Sequence, residues 1–312
     1  AYRASGRLEE AIPLYEQVFS GRSRVLGPDH RSTLTARDHL ADTYWEAGRL
    51  DDAIALKKQI LADAMRIMGP DNPGASAVRL SLATAYRDAG KLDEAVNMLK
   101  QNLDDVTRLE GPHHPHALTA RNQLAGAFRD AGRLDEAILL FEQNLTDVTR
   151  LAGPDHPHTL SSRSTLAGAY RDAGRLDEAI PLFEQNLADV ARTLGLDHPE
   201  TLASRHSLAG AYRDAGRLDE AIPLFEQNLT DFIRILGPDR PDTFTSRSTL
   251  AGAYQAAGRL DEAIELFEQN LEDRTHTLGP HHPRTLNTRN HLANAYLAAG
   301  RAEEAKKLFE AP

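Results

Sequence analysis

The sequence predicts an all-α solenoid, a fold in which antiparallel helix pairs stack side by side. Three observations predict it: a period of 42 residues, helical spacing of apolar residues in both halves of the period, and glycines that end each half. The first glycine of the period recurs as Gly6, Gly48, Gly90, Gly132, Gly174, Gly216, Gly258 and Gly300. A second mark recurs at the same spacing, from Gly69–Pro73 to Gly279–Pro283. Such regularity is typical of a repeat array and not of separate globular domains.

Residues 157–173 represent the first predicted helix of each repeat, helix A. Pro157 suits the first helical position, where a backbone N–H would have no partner, and His156 or Asp155 can cap the helix before it. Apolar residues then recur at helical spacing. Gly174 supplies the left-handed residue that ends the helix.

Residues 177–194 represent the second predicted helix, helix B. Asp177 and Glu178 favour the positive end of its dipole, and Gly195 ends it. Between them, six apolar residues form a stripe that must be buried. Because two amphipathic helices cannot bury their apolar faces alone, we expect neighbouring pairs to stack.

The period predicts one array over residues 1–312. We expect a partial repeat at 1–30, full repeats at about 31–72, 73–114, 115–156, 157–198, 199–240 and 241–282, and a partial repeat at 283–312. Neither end resembles the polar cap that a solenoid needs. The sequence therefore reads as an excerpt of a longer protein, in which a catalytic or switch domain could lie outside these residues.

Composition narrows the class of protein. The absence of cysteine excludes disulfides and thiolate metal sites. A formal charge of −10, from 36 Lys+Arg and 46 Asp+Glu, opposes a general footprint for nucleic acid or anionic membranes. No apolar run reaches the roughly 18 residues of a membrane helix, and no signal-peptide pattern opens the chain. We expect a cytoplasmic protein that binds neither nucleic acid nor membrane.

The helix pair resembles the tetratricopeptide repeat in the residues that mark its core and turn, namely Leu166, Ala167, Tyr170, Gly174, Leu176, Ala179 and Phe183. That family has a usual period of about 34 residues, so a longer period implies longer helices. The loop Thr193–Pro199 and the period resemble the long variant of kinesin light chains and of bacterial arrays that often follow a nucleotide-binding switch domain. The resemblance implies a right-handed α-solenoid superhelix with a concave groove lined by the A helices.

The resemblance also implies which residues line that groove, and these positions vary between repeats while the core stripe does not. The candidate peptide-binding residues are Trp45, Arg87, Asn122, Gly126, Arg129, Ser164, Gly168, Arg171, His206, Gly210, Arg213, Gln255, Asn290 and Asn294. We interpret the variation as a recognition surface on a constant scaffold. Free drift of exposed positions is the alternative.

Glycines inside four consecutive A helices break a local rule, because each costs roughly 1 kcal/mol relative to alanine. They are Gly126, Gly168, Gly210 and Gly252. They make room either for a peptide or helix in the groove, or for close approach of successive A helices.

Two series of arginines recur at the period. The groove arginines Arg87, Arg129, Arg171 and Arg213 either bind ligand carboxylates or pair with Asp88, Asp130, Asp172 and Asp214. The second series is Arg37, Arg79, Arg121, Arg163, Arg205, Arg247 and Arg289, facing Asp63, Asp105, Asp147, Asp189, Asp231 and Asp273 of helix B. We expect structural ion pairs there, with arginine stems that snorkel.

Signals for chemistry are weak. The loops at His113–His116 and His281–His282 could suggest a metal, but adjacent histidines usually diverge, and we predict no metal, cofactor or catalytic residue. The leading hypothesis is a non-enzymatic scaffold that binds a peptide or helix in the groove. The alternatives are the sensor array of a nucleotide-dependent switch protein, and a self-assembling module whose incomplete ends dock on another copy.

Overall fold

The computed structural model describes residues 2–69 and 72–310, and all regular structure within them is helical. These residues form a short 3-10 helix, Arg3–Ser5, and fifteen α-helices: α1 Leu8–Leu26, α2 Arg31–Glu46, α3 Leu50–Met68, α4 Pro73–Asp88, α5 Leu92–Glu110, α6 Pro115–Asp130, α7 Leu134–Ala152, α8 Pro157–Asp172, α9 Leu176–Leu194, α10 Pro199–Asp214, α11 Leu218–Leu236, α12 Pro241–Ala256, α13 Leu260–Leu278, α14 Pro283–Ala298 and α15 Ala302–Glu310. The chain divides into two compact units, Ala1–Leu151 and Ala152–Pro312.

Helix pairs build each unit. The even-numbered helices are the A helices, and the odd-numbered ones are the B helices. In the first unit the consecutive helices α1 to α6 pack against one another, and in the second unit the same holds for the consecutive helices α8 to α15. The predicted all-α solenoid of helix pairs is confirmed, and α8 and α9 match their predicted bounds to within one residue.

Glycine backbone geometry ends both helices of a repeat. Gly174 has φ of 71°, in the left-handed region, as predicted. The N–H of Arg175 then donates to the carbonyl oxygen of Tyr170 at 2.9 Å, which closes the end of α8. Gly195 ends α9 differently, with φ of 91° and ψ of 164°, a conformation that is open only to glycine.

Histidine caps most of the A helices. His156, and not Asp155, caps α8, since its Nδ1 accepts a hydrogen bond from the backbone N–H of His158 at 3.2 Å. The same cap recurs at His30, His114, His198 and His282. Asn72 caps α4 through its side-chain oxygen. The loop histidines thus have a structural role in starting helices.

The core lies between A and B helices. Leu166, Ala167 and Tyr170 are buried on α8, as are Ile180 and Phe183 on α9, and the two helices pack against each other. Small alanines alternate with large side chains, which lets the helices approach closely. The opposite faces stay polar, and in the described ranges no helix is both long and apolar enough to cross a membrane.

Six of the seven arginines of the second series, all except the half-buried Arg289, are buried and paired with helix B, which confirms the expected ion pairs. The pairs are Arg37–Asp63, Arg79–Asp105, Arg121–Asp147, Arg163–Asp189, Arg205–Asp231 and Arg247–Asp273. The expectation of snorkelling is wrong, because the guanidinium groups are themselves covered. Arg247 is only 1% exposed, and its Nη1 donates to Asp273 Oδ2 at 2.6 Å. Each pair joins helix A to helix B within one repeat.

Candidate functional site

The candidate residues lie on one face of the A helices. Those from Trp45 to Arg129 belong to the first unit, and those from Ser164 to Asn294 to the second. All are at least partly exposed except Gly210, which is buried. We call this surface the A-helix face.

The groove arginines in each unit pair with the aspartate one repeat further along. Arg87 Nε donates to Asp130 Oδ2 at 2.8 Å, and Arg171 Nε lies 3.4 Å from Asp214 Oδ2. Trp45 replaces arginine in this series, and its indole N–H donates to Asp88 at 2.7 Å. Of the two alternatives for these arginines, internal pairing therefore holds at Arg87 and Arg171.

The series of pairs ends at Arg213. Helix α12 carries Ala256 where the next aspartate would stand, so Arg213 turns to its own neighbour Asp214 at 3.1 Å. Asp214 also receives Arg171, so two arginines share one carboxylate. Burial, and then the positive charges of Arg213 and Arg171, lower the pKa of nearby His206. This part of the A-helix face is locally positive.

Three of the four helical glycines have open space beside them. A Cβ atom at Gly126, Gly168 or Gly252 would meet no described atom of another helix within 4 Å, so close helix approach does not require glycine there. The alternative of close helix approach is wrong at these three positions. At Gly210, a Cβ would lie 3.2 Å from Arg171 Nη1. Glycine there makes room for the arginine that reaches Asp214.

Clefts open between successive A helices among the described residues. One lies between α4 and α6 over α5 and holds about 380 Å³. Three lie in the second unit: between α8 and α10 over α9, with 290 Å³; between α10 and α12 over α11, with 490 Å³; and between α12 and α14 over α13, with 300 Å³. We call them the inter-repeat clefts.

One residue of helix B recurs at the bottom of every inter-repeat cleft. We call it the floor position, and its occupants are Val106, Val190, Phe232 and Arg274. Small and hydroxyl side chains line the walls of the cleft over α9, among them Ser164, Ser204 and Ser207. The clefts therefore lie at equivalent places in the repeats and differ in the residue at the floor position.

Arg274 is a functional candidate that sequence reasoning missed. Val190 belongs to the apolar stripe of helix B, so its position was assigned to the core. The sixth full repeat has arginine at this position, and that exception was the signal that could have revealed the site. Arg274 is buried, and its Nη1 donates to the carbonyl oxygen of Arg284 and to Thr288 Oγ1, both at 3.0 Å. Burial first, and then the charges of Arg284 and Arg247, lower its pKa.

A second break in the pattern was also missed, in the first unit. Lys57 occupies the buried position of Phe183, and Asp42 occupies the position of Gly168. Lys57 Nζ donates to Asp42 Oδ1 at 3.0 Å and to Ser81 Oγ at 2.7 Å. A charged pair thus fills the space that glycine leaves open in other repeats.

The histidine loop before α6 brings possible metal ligands together. Glu110, His114 and His116 place ligand atoms within 4.8 Å of one another, whereas His113, adjacent to His114, lies instead beside Asp147 at 3.1 Å. His114 Nδ1 lies 2.6 Å from Glu110 and also caps α6. A metal bound through this atom would remove the helix cap.

Comparisons with known proteins agree with this architecture. The family model of the tetratricopeptide repeat matches the chain at residues 1–65, 48–104, 74–146, 117–188, 158–230, 205–272 and 242–311. This chain, an array of paired helices with a variable A-helix face, belongs to the tetratricopeptide repeat family. No curated protein sequence matches it.

Within that family the chain is kinesin-light-chain-like. It is similar to the crystal structure of a putative kinesin light chain with nearly identical TPR-like repeats from Podosopora anserina, at 35% identity over 66% of this chain and 98% of that one, with a TM-score of 0.61. The resemblance to the long-period variant is confirmed.

Two other solved structures share the fold alone. A Signal Transduction ATPase with Numerous Domains from Pyrococcus horikoshii, which has a tetratricopeptide repeat sensor, is 15% identical over 89% of this chain and 41% of that one, with a TM-score of 0.63. The quorum sensor NprR from B. thuringiensis is 14% identical over 97% and 82%, with a TM-score of 0.63.

Proposed function

We propose that the chain is a non-enzymatic protein-interaction scaffold that binds an extended peptide on the A-helix face. Tetratricopeptide arrays characteristically bind other proteins, and the A-helix face is the variable surface of this one. We further propose that it acts in the cytoplasm. Thiols are kept reduced there, and a chain without cysteine has no disulfide to lose.

The observation that carries the proposal is the set of inter-repeat clefts. They recur with the period of the chain, they open on the A-helix face, and their floors change from valine to phenylalanine to arginine. A peptide lying across the A helices would insert side chains into successive clefts. Selectivity would then come from several modest contacts instead of one deep pocket.

The paired arginines have a supporting role in this proposal. Arg87 and Arg171 are committed to aspartates, so they stiffen the face and add little charge for a ligand. Arg213 shares its carboxylate, and with His206 it is the better candidate for a direct polar contact. Exposed amides at Asn122, Asn290 and Asn294 can bond the backbone of a peptide.

A test of the proposal begins with selection of binding peptides from a displayed library by the full chain. Their affinity is then measured by fluorescence anisotropy for the wild type and for Ala203→Phe. Ala203 lines both the cleft over α9 and the cleft over α11. A phenyl ring there should weaken binding at least tenfold.

Ala188→Phe is the matched control, because Ala188 is exposed on helix B, away from the A-helix face. It should leave the affinity unchanged, and both variants should keep wild-type helicity by circular dichroism. Equal loss of affinity in both variants, or in neither, would remove the clefts from the binding site. Failure to select any peptide would contradict the proposed function itself.

A further inference from the structure

The inter-repeat cleft between α12 and α14 has an arginine at its floor position. Arg274 is 8% exposed, and it stands where the clefts over α5 and α9 have Val106 and Val190. The same helix pair keeps the buried pair of Arg247 with Asp273, so the arginine at the floor position has not displaced that pair.

The charge of Arg274 has no counter-ion in the described part of the chain. Its Nη1 donates to the Arg284 carbonyl oxygen and to Thr288 Oγ1, and both acceptors are neutral. Its buried Nε–H has no acceptor among the described residues. The adjacent Asp273 is occupied by Arg247 at 2.6 Å. The ring of Phe244, 5.6 Å from the guanidinium carbon, is a further neutral neighbour.

An unpaired buried cation is costly, because the protein replaces its hydration only in part. The other lining residues of this cleft are Thr245, Ser248, Thr249, Asn287, Thr288 and His291. None is acidic, although the chain as a whole carries a charge of −10. Burial first, and then the positive charges of Arg284 and Arg247, lower the pKa of Arg274. The cleft is positive and rich in hydrogen-bonding groups, which suits an anionic oxygen.

The size and position of the cleft decide what can deliver that oxygen. Its volume is about 300 Å³, and its floor lies on helix B beneath two A helices. This volume is at the small end of the range for ligand pockets, so the cleft admits one side chain more readily than a peptide main chain. A carboxylate at the end of a short side chain reaches the floor while its backbone stays on the A-helix face.

We propose that the inter-repeat cleft over α13 is a carboxylate pocket, in which Arg274 receives an aspartate or glutamate side chain of a bound peptide. The inference rests on the proposed function for the peptide, but the pocket can be tested without one.

The direct test follows the Nε–H signals of arginine in the ¹⁵N spectrum of the full chain. The probe is N-acetylglutamic acid α-amide, whose only carboxylate is in the side chain. It should shift the Arg274 signal saturably, while the neutral N-acetylglutamine amide should not. N-acetylalanine, whose only carboxylate is the C-terminal one, should bind at least several-fold more weakly. Equal shifts by N-acetylalanine, or no shift by the first probe, would overturn the proposal.

Variants separate the pocket from general surface charge. Arg274→Val, which copies Val190, and Arg274→Met, which keeps the length of the side chain, should both abolish binding of the probe, read from the side-chain amide signals of Asn287 in the same spectrum. Arg284→Ala removes an exposed neighbouring cation and should leave binding within twofold. Both floor variants should melt at or above the wild-type temperature, since they remove an unpaired charge. A lower melting temperature in both, with probe binding unchanged, would make Arg274 a structural residue and contradict the proposal.

Selected peptides then connect the pocket with the proposed function. Replacement of one acidic residue by its amide should weaken binding roughly tenfold in the wild type, the usual size of a lost charge-assisted hydrogen bond, and not in Arg274→Val. Tight peptides without any acidic preference would refute the pocket and leave the scaffold function standing. Probe binding without any peptide binding would support the pocket and refute the scaffold.

Discussion

At the scale of the residue, single positions in a constant frame determine local chemistry. The aromatic residue near the end of each A helix is an example. Tyr212 donates to Glu184 of the preceding B helix, and Tyr254 donates to Glu226 in the same way. Where the preceding B helix has Lys100 in place of glutamate, the ring is Phe128, with the ammonium 5.2 Å from its centroid. Tyr86 keeps its hydroxyl although its partner is Lys58, whose ammonium lies 5.5 Å from the ring centroid, so the partner changes independently of the ring.

These tyrosines make stability sensitive to high pH. Burial first, and then the hydrogen bond to glutamate, raise the pKa of Tyr212, Tyr254 and Tyr296 to about 12, from about 10 in an unfolded chain. Because the folded pKa is the higher one, their contribution is complete below about pH 10 and is lost as the pH rises through about 12.

The measurement is the melting temperature between neutral pH and pH 12 for the wild type and for Tyr212→Phe with Tyr254→Phe. The double variant should lose less stability between pH 10 and 12, because its rings cannot ionise. Phe128 shows that the position accepts phenylalanine. Parallel curves for the two proteins would contradict this account.

The buried arginine–aspartate pairs should respond strongly to loss of one partner. Asp231→Ala leaves Arg205 buried without its carboxylate, and the free energy of unfolding should fall by about 3 kcal/mol. Asp239→Ala, at an exposed loop position, is the control and should change it little. Urea denaturation measures both. If Asp231→Ala lowered the free energy of unfolding less than Asp239→Ala does, solvent would already compensate Arg205 for the lost carboxylate.

At the scale of the element, the glycines weaken the A helices without a packing reason. Gly252→Ala should raise the free energy of unfolding by about 0.5–1 kcal/mol, because alanine restricts the unfolded chain and meets no described atom within 4 Å. Gly210→Ala should gain less, since its Cβ would press on Arg171. Thermal denaturation of the two variants checks the difference, and an equal gain would mean that Arg171 moves freely.

Arg213, the last groove arginine, can be tested by adding the carboxylate that α12 lacks. Ala256→Asp restores the missing acceptor, so Arg213 should pair with it as Arg171 pairs with Asp214. Such partly exposed pairs contribute little, and the free energy of unfolding should change by less than about 1 kcal/mol. Binding of acidic peptides should nevertheless weaken, as measured by anisotropy, because the local positive charge is neutralised. Unchanged affinity would exclude Arg213 from the binding surface.

At the scale of the whole molecule, stability comes from contacts between neighbours in sequence. Removal of residues 199–240 deletes one full period and joins His198 to Pro241, so that a histidine again precedes the helix-starting proline. This variant should fold, with helical content per residue like that of the wild type in circular dichroism. Removal of residues 199–219 deletes half a period and should destabilise the chain, because like helices would then be adjacent. Equal stability of the two deletions would contradict nearest-neighbour packing.

Sequence reasoning reached the helices and their ends because proline and glycine fix those ends through backbone geometry that needs no partner. Pro157 and Gly174 are examples. It could not decide the partner of Arg171, which depends on the offset between successive A helices. It also assigned the position of Arg274 to the core, since the position was read from its most frequent occupant. A single exception to a repeat pattern becomes visible as a site only when its surroundings are known.

The floor position bears on how such a protein can change what it holds. Each duplication of a 42-residue repeat would add another cleft between two successive A helices. The single residue at the floor position of each repeat then determines whether the cleft suits an apolar, a large or a negatively charged ligand side chain. New specificities could therefore arise by point mutation in a spare copy, without redesign of the surrounding scaffold.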